Sequence, residues 1–137
     1  MKQTFPDSQI MYDLSHNSHH DVIKQVMSLD CLLGVSSIDE ILWARDLGID
    51  SKKLVNIAVV KSQKTIEKCS DMKVENYIFD NEFELEKFDW HMKLILKIKW
   101  LEDLISFEQD KGAKYLELLK NTQLKGLDVV GISINVN

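Results

Sequence analysis

Residues 31–40 read Cys-Leu-Leu-Gly-Val-Ser-Ser-Ile-Asp-Glu and predict a buried strand that leads directly into a helix. The first half is continuously apolar, as in a strand that is covered on both faces. Ser37 and Glu40 have the spacing of a capping box, in which both side chains satisfy free amide groups at a helix start. Gly48 stands where a left-handed residue ends a helix, and a second β-rich run follows at residues 54–60. The stretch therefore predicts one β-α-β unit.

The same alternation extends in both directions along the chain. Further strands are predicted at residues 10–14, 74–79, 92–98 and 127–136. Helices are predicted at residues 21–29, with Ser18 or Asn17 as the N-cap, at residues 62–72, around Phe83, Leu85 and Phe88, and around residues 115–119 with an end near Gly126. About six strands that alternate with five helical segments indicate an α/β fold with parallel strands. A doubly wound sheet and a partial barrel both fit this order.

Composition narrows the possible functions. The chain has 137 residues, of which 45% are hydrophobic and 28% charged, as in one globular domain. A net charge of -5 and a single arginine, Arg45, argue against a nucleic-acid partner. Cys31 and Cys69 lack the C-x-x-C spacing, so we expect buried reduced thiols. No apolar run approaches the roughly 20 residues of a membrane helix and no secretory leader follows Met1, so we expect a cytoplasmic protein without membrane contacts.

The common catalytic motifs are absent from the sequence: it has no glycine-rich phosphate loop, nucleophile elbow or zincin helix. His16, His19 and His20 form the densest polar cluster and are possible zinc ligands. We favour a solvated turn, because Asp21 is the only carboxylate nearby at a suitable spacing. Ser15 beside these histidines is a weaker candidate nucleophile, since no oxyanion motif accompanies it.

Several segments resemble, in order, those of ornithine decarboxylases. Residues 10–17, I-M-Y-D-L-S-H-N, are similar to the family's P-F-Y-A-V-K-C-N. Residues 35–41, V-S-S-I-D-E-I, and 46–49, D-L-G-I, resemble C-A-S-K-T-E-I and S-L-G-V. Residues 79–85, F-D-N-E-F-E-L, match F-D-S-E-V-E-L, and residues 127–136, L-D-V-V-G-I-S-I-N-V, are similar to I-D-V-V-G-V-S-F-H-V. The resemblance covers nearly the whole chain from residue 10.

This resemblance implies the middle of a (β/α)8 TIM-type barrel that binds pyridoxal phosphate. A complete barrel takes about 250 residues, so residues 1–137 are expected to form a single partial barrel domain without the family's C-terminal β-domain. Four family positions are changed: the cofactor lysine is Ser15, an aspartate is Gly34, an arginine is Lys97 and a histidine is Asn135. Because serine cannot form an imine with pyridoxal phosphate, we expect no bound cofactor, no catalytic residue and no decarboxylation.

Antizyme inhibitors resemble ornithine decarboxylase, lack its activity and act by capturing antizyme. The family's antizyme-binding element corresponds to residues 61–84, where Lys61, Lys64, Lys68 and Lys73 are the candidate contacts. These four lysines face six acidic residues, so the segment is net -2 and electrostatic steering is weaker than in the family. The open alternative is a surface helix whose charges are merely solvated.

Two further alternatives remain open. One is an enzyme subunit that works only when another chain completes it. The other is a truncated barrel fragment without a function of its own. Unpaired strands at residues 10–14 and 127–136 would invite self-association or pairing with a longer family member, because only barrel closure removes sheet edges.

Overall fold

The computed structural model describes residues 8–58, 60–98 and 111–134. These contain six strands: β1 Met11–Asp13, β2 Leu32–Val35, β3 Leu54–Asn56, β4 Asn76–Phe79, β5 Lys93–Ile98 and β6 Asp128–Ile134. The α-helices are α1 His20–Ser28, α2 Ile38–Asp46, α3 Gln63–Asp71 and α4 Lys111–Leu124, and 3-10 turns form at Ser51–Lys53 and Glu82–Lys87. The predicted alternation of strands with helical segments is confirmed. No helix in the described ranges is long and apolar enough to cross a membrane.

The six strands form one parallel sheet whose spatial order is the chain order, β1-β2-β3-β4-β5-β6. A doubly wound sheet reverses its strand order at a switch point. The uninterrupted order therefore decides between the two predicted architectures, and the partial barrel is correct. β1 and β6 are the edges of the sheet as described.

The hydrophobic core lies between the sheet and the helices. Leu33 pairs in register with Leu54, and Tyr77 pairs with Leu94; all four are completely buried in the same apolar cluster. Alternate residues of a strand point to opposite faces, so the residues between these positions point away from the helices. In a complete barrel that second face lines the interior.

Local signals explain where α2 begins and ends. The Ser37 hydroxyl accepts the Glu40 amide at 3.2 Å, and the Glu40 carboxylate accepts the amide of Ser36 at 2.6 Å. The capping box is thus confirmed, although its carboxylate reaches one residue further back than the standard pattern. Gly48 has φ of 78°, the left-handed conformation expected after the helix.

The predicted start of α1 is wrong by one residue. His19 is the N-cap, and its side chain makes no capping hydrogen bond. The Asn17 side chain instead accepts the amide of His19 at 2.9 Å. The Asn17 side chain therefore stabilises the turn before α1 and does not cap the helix.

Two expectations about apolar segments are also corrected. The strand predicted at residues 54–60 ends at Asn56, because the Asn56 side chain accepts the amide of Ala58 at 3.1 Å and turns the backbone out of the sheet; Val60 is 81% exposed. Phe83, predicted on the apolar side of a short helix, is 86% exposed. In a 3-10 turn, residues three apart share a face, and Leu85 with Phe88 forms the buried side.

Candidate functional site

The carboxyl ends of the parallel strands meet at one edge of the sheet, where barrels of this type carry their functional groups. Ser15 lies just after β1, at this edge. Gly34 belongs to β2 and Lys97 to β5. Asn135, the fourth family position, lies outside the described residues. The site is therefore built from the first three positions.

Ser15 is held by the carboxylate that precedes it. The Ser15 hydroxyl donates to Asp13 Oδ1 at 2.7 Å, and the Ser15 amide donates to the same oxygen at 2.9 Å. His16 Nδ1 lies 3.6 Å from the other Asp13 oxygen. Ser15 is exposed and makes no hydrogen bond to a histidine among the described residues. The arrangement of a nucleophile with its base is not formed here.

Gly34 lies on the sheet face that points away from the helices, in register with Asp13. A Cβ atom at Gly34 would lie 3.1 Å from Cδ1 and 3.2 Å from Cγ2 of Ile57. The Ile57 side chain therefore fills the space beside Gly34. A longer side chain at position 34 would fit only if Ile57 moved.

Lys97 lies on the same face as Gly34. On β5, Leu94, Leu96 and Ile98 are buried toward the helices, while Lys97 alternates with them and is half-buried. Its register partner on β6 is Ser133. The structure therefore places Gly34 and Lys97 on the face that lines a barrel interior.

A buried charged cluster, which sequence reasoning did not predict, lies beside the ends of β3 and β4. Lys61 is 1% exposed, and its ammonium donates to the carbonyl oxygens of Ala58, at 2.7 Å, and of Ile78. Its Nζ is 3.6 Å from Glu84 Oε2, and the Glu84 side chain is 5% exposed. Lys87 Nζ donates to Glu84 Oε1 at 2.6 Å and to the Lys61 carbonyl at 2.7 Å. We call Lys61, Glu84 and Lys87 the buried charge cluster.

Burial governs the electrostatics of this cluster. Loss of hydration lowers the pKa of Lys61, although the nearby negative charges of Glu84 and Asp80 act in the opposite direction. Glu84 Oε2 accepts no hydrogen bond from any described group, so its compensation is the ion pair with Lys61. Two cations share one carboxylate, a balance that removal of either partner would upset.

The predicted partner lysines do not form one surface. Lys61 is interior, so the expectation that it belongs to an exposed binding segment is not met. Lys64, Lys68 and Lys73 are exposed, on or just after α3. None of these three ammonium groups forms an ion pair with another described residue.

The structure confirms that both cysteines are buried, and it places the three clustered histidines at the surface. His16, His19 and His20 are all exposed in and around the turn after β1. Among the residues that the structure describes, no group of three or more histidine, cysteine or acidic side chains is placed to hold a metal ion. Cys31 and Cys69 are buried free thiols. The Asn56 amide donates to Cys69 at 3.3 Å, and burial raises the pKa of that thiol.

One sequence signal for the buried charge cluster exists. Lys61 directly follows the apolar run 54–60, whereas Glu84 stands in a segment rich in charged residues and carries no such signal. Isolated charges at such positions are buried in pairs when they are buried at all. The pairing itself is not encoded locally, because the two residues are brought together only by the fold.

The fold and its carboxyl-end site define a segment of a (β/α)8 barrel, and comparison with known proteins identifies which one. Residues 1–137 match the model of the pyridoxal-dependent decarboxylase, pyridoxal binding domain family. The chain belongs to this family.

The relatives are amino acid decarboxylases. The chain is 26% identical to ornithine decarboxylase of Caenorhabditis elegans, over 98% of this chain and 34% of the relative. It is 22% identical to lysine/ornithine decarboxylase of Selenomonas ruminantium, over 99% of this chain and 37% of the relative. The chain thus spans about a third of the length of these relatives.

Solved structures agree on the fold. The crystal structure of ornithine decarboxylase from Entamoeba histolytica matches with a TM-score of 0.77 and 20% identity, over 98% of this chain and 38% of that one. Lysine/ornithine decarboxylase from Vibrio vulnificus, complexed with putrescine, matches with a TM-score of 0.79 and 17% identity, over 99% and 37% of the two chains. At these identities the similarity establishes a shared half-barrel.

Two observations test whether the described residues fit the family's pyridoxal group. At the position of the family's lysine, Ser15 presents a hydroxyl that is already donated to Asp13. Beside Gly34, the position of the family's aspartate, Ile57 fills the adjoining space. Neither of these two positions therefore supplies the amine or the carboxylate that the family resemblance implies there.

Proposed function

We propose that this chain is a catalytically inactive member of the ornithine decarboxylase family that regulates polyamine biosynthesis, and with it putrescine production, by binding antizyme in the cytoplasm. The observation that carries the proposal is Ser15. A pyridoxal cofactor supplies an electron sink for decarboxylation when an enzyme holds it. Ser15 offers a hydroxyl that is engaged with Asp13, where covalent attachment needs an amine.

Loss of that amine leaves protein binding as an activity that the fold still supports. α3 presents Lys64 and Lys68 on its exposed side, and Lys73 follows at its end. The two helix positions are four residues apart, so they lie on the same face. Exposed ammonium groups that form no ion pair with another described residue increase the rate of encounter with an acidic partner surface.

The test is calorimetric titration of the purified chain with antizyme. We expect saturable one-to-one binding. The charge-reversed variant Lys64→Glu/Lys68→Glu should bind about tenfold more weakly, and more so at low salt. The matched control is Lys24→Glu/Lys52→Glu, which changes the net charge equally at exposed positions outside α3. Equal affinity of the two variants would remove the basis for a lysine-dependent interface.

The catalytic half of the proposal has its own measurement. The purified chain should release no carbon dioxide from ornithine in the presence of pyridoxal phosphate. Release above the level of a denatured sample would overturn the proposed inactivity. A positive control with an active decarboxylase of the family shows that the assay conditions support the reaction.

The edges of the sheet favour a second candidate function, that of a subunit which another family chain completes. β1 and β6 each have one unpaired side within the described sheet, and Val130 and Ile132 of β6 are 50% and 57% exposed. Unpaired apolar strands associate readily. Mass measurement during size-exclusion chromatography, alone and with a full-length ornithine decarboxylase, distinguishes a monomer from self-association and from a mixed complex. A monomer in both experiments contradicts this second candidate.

A further inference from the structure

The two edge strands of the described sheet differ in how they are protected against pairing with another chain. Natural edge strands are kept short, carry lysine or proline, or are covered. β1 spans only the three residues Met11–Asp13. β6 spans seven residues, Asp128–Ile134, which read Asp-Val-Val-Gly-Ile-Ser-Ile and include neither lysine nor proline. Its one charged residue, Asp128, stands at the start of the strand, so β6 is the less protected edge.

The surface beside β6 is apolar. Val130 and Ile132 are exposed on the strand, and Leu116 and Leu124 are exposed on the adjoining helix α4. A groove of about 480 Å³ lies between the strand and α4, lined by Leu119, Gln123 and residues 127–132. Exposed apolar side chains that are grouped in this way mark a surface for another protein. The free side of the strand adds unpaired backbone amide and carbonyl groups, which can bind a further strand.

The strand is complementary to a second copy of itself when the two copies run antiparallel about Gly131. In this register Val130 lies opposite the partner subunit's Ile132, and the reverse contact repeats by symmetry. The two Asp128 residues stand at opposite ends of the pair, about 20 Å apart along the strands. No like charges therefore meet at the contact, although each chain has a net charge of -5. Val130 forms a bulge opposite Leu94 and Ile95, but both copies share the extra twist, so their edges remain matched.

We propose that two copies of this chain form a symmetric dimer by antiparallel pairing of their β6 strands about Gly131. The result is one continuous sheet with six strands from each copy. The contact uses the same surface of both copies, so the assembly closes at two chains. Pairing of β6 with β1 of another copy is limited to three residues. The inference goes beyond the proposed function and does not depend on antizyme, because α3 connects β3 with β4, away from this edge.

Disulfide cross-linking tests the register. Directly opposed residues of two antiparallel strands have Cα atoms about 4.5–5.5 Å apart, within the range of a disulfide. Gly131→Cys should therefore give a covalent dimer under mild oxidation, and the new side chain has room, since a Cβ atom at Gly131 would meet nothing within 4 Å. Ser133→Cys is the matched control, because its two copies would lie about 14 Å apart. The wild-type chain is the blank, because Cys31 and Cys69 are buried.

Analytical ultracentrifugation over a range of protein concentrations measures the dimer without a cross-link. The wild-type chain should show a monomer–dimer equilibrium. Ile132→Lys should raise the dissociation constant about thirtyfold, because each copy loses an apolar contact in a symmetric interface. Leu29→Lys is the matched control: it makes the same charge change at an exposed apolar residue, but at the end of α1, and should dimerise as the wild type does.

Three results would overturn the inference: a wild-type chain that is monomeric at every concentration, equal dissociation constants for Ile132→Lys and Leu29→Lys, or equal cross-linking of Gly131→Cys and Ser133→Cys. A complex with a full-length ornithine decarboxylase, formed without any self-association, would also overturn it and would support the second candidate function instead. Antizyme binding is measured separately, so the proposed regulatory function stands or fails independently of the dimer.

Discussion

Lys61 Nζ lies 3.6 Å from Glu84 Oε2. The two residues stand at opposite ends of residues 61–84, the segment that contains α3, β4 and the start of the second 3-10 turn. Both side chains are buried, and Lys87 joins them through the other oxygen of Glu84 and through the Lys61 carbonyl. A buried ion pair therefore joins the two ends of the segment that the family resemblance associates with a protein partner. Its exposed lysines stand on a unit that is anchored at both ends.

This contact predicts strong but non-additive effects of substitution. Lys61→Met leaves Glu84 with less compensation and Glu84→Gln leaves Lys61 without its counterion, so each should lower the free energy of unfolding by about 3 kcal/mol. The double variant should lose clearly less than the sum, because the second change removes a charge already left unpaired. Urea denaturation measures all three.

The control for this cycle is a surface ion pair. Lys93→Met removes the partner of Glu75, and these two side chains are 48% and 34% exposed. It should cost about 0.5 kcal/mol. A loss at Lys61 as small as that at Lys93, or strict additivity in the double variant, would show that the buried contact contributes little.

The lowered pKa of Lys61 predicts a pH dependence. The unfolded chain keeps the Lys61 proton up to the ordinary value of 10.5, whereas the folded chain releases it at a lower pH. Between the two values the unfolded state binds more protons, so the contribution of Lys61 to stability rises with pH. The difference in unfolding free energy between wild type and Lys61→Met should therefore shift in favour of the wild type from about pH 8 to about pH 10.

The quantity to measure is the difference in unfolding free energy between the two proteins, because other buried groups make stability fall as pH rises. Burial raises the pKa of Cys69 and Tyr77, so the folded chain keeps their protons longer and stability falls as pH rises through their window. The Tyr77 effect is common to both proteins, whereas the charge of Lys61 lowers the pKa of Cys69, so the Cys69 effect is larger in Lys61→Met and adds to the shift in favour of the wild type. A difference that stays constant or falls with pH would contradict the predicted state of Lys61.

Because Ile57 packs closely against Gly34, Gly34→Ala should change the free energy of unfolding in opposite directions in the wild type and in Ile57→Ala. Gly34→Ala in the wild type should destabilise by about 1 kcal/mol, because crowding against Ile57 outweighs the roughly 0.5–1 kcal/mol gained by replacing a strand glycine. In the Ile57→Ala background the crowding is absent, and the same substitution should stabilise. Equal effects in both backgrounds, measured by chemical denaturation, would mean that Ile57 is free to move aside.

Two glycines with open surroundings offer a test of backbone conformation alone. A Cβ atom would meet nothing within 4 Å at Gly48 or at Gly112. Gly48 has φ of 78°, so Gly48→Ala should destabilise by about 1 kcal/mol, whereas Gly112→Ala in α4 should stabilise by about 0.5 kcal/mol. Thermal unfolding of the pair checks this. Stabilisation at both positions would show that the fold does not require a positive φ at residue 48.

The order of elements was predictable because each β-α unit carries its own local signals. Ser37, Glu40 and Gly48 act within a few residues of one another, so the bounds of α2 follow from short-range chemistry. The end of β3 was not predictable from hydrophobicity. Residues 57–60 continue the apolar run, but the Asn56 side chain takes the amide of Ala58 and ends the strand.

The candidate site, too, was predictable from the sequence only in part. The replacements at Ser15 and Gly34 are visible in the sequence through the family resemblance, but the filling of the adjoining space by Ile57 depends on contact between neighbouring strands. The interior position of Lys61 was missed because a lysine next to α3 suggests a solvated charge. Its burial follows from Glu84, which the fold brings from a distant part of the chain.

The agreement between chain order and sheet order also bears on synthesis of the protein. Every strand after β1 pairs with the one made just before it, and the described sheet contains no pairing that skips a unit. Contacts between adjacent units close short loops, whose closure costs little conformational entropy. A chain emerging from the ribosome therefore finds the pairing strand for each new unit already in place, and the sheet grows from β1 toward β6.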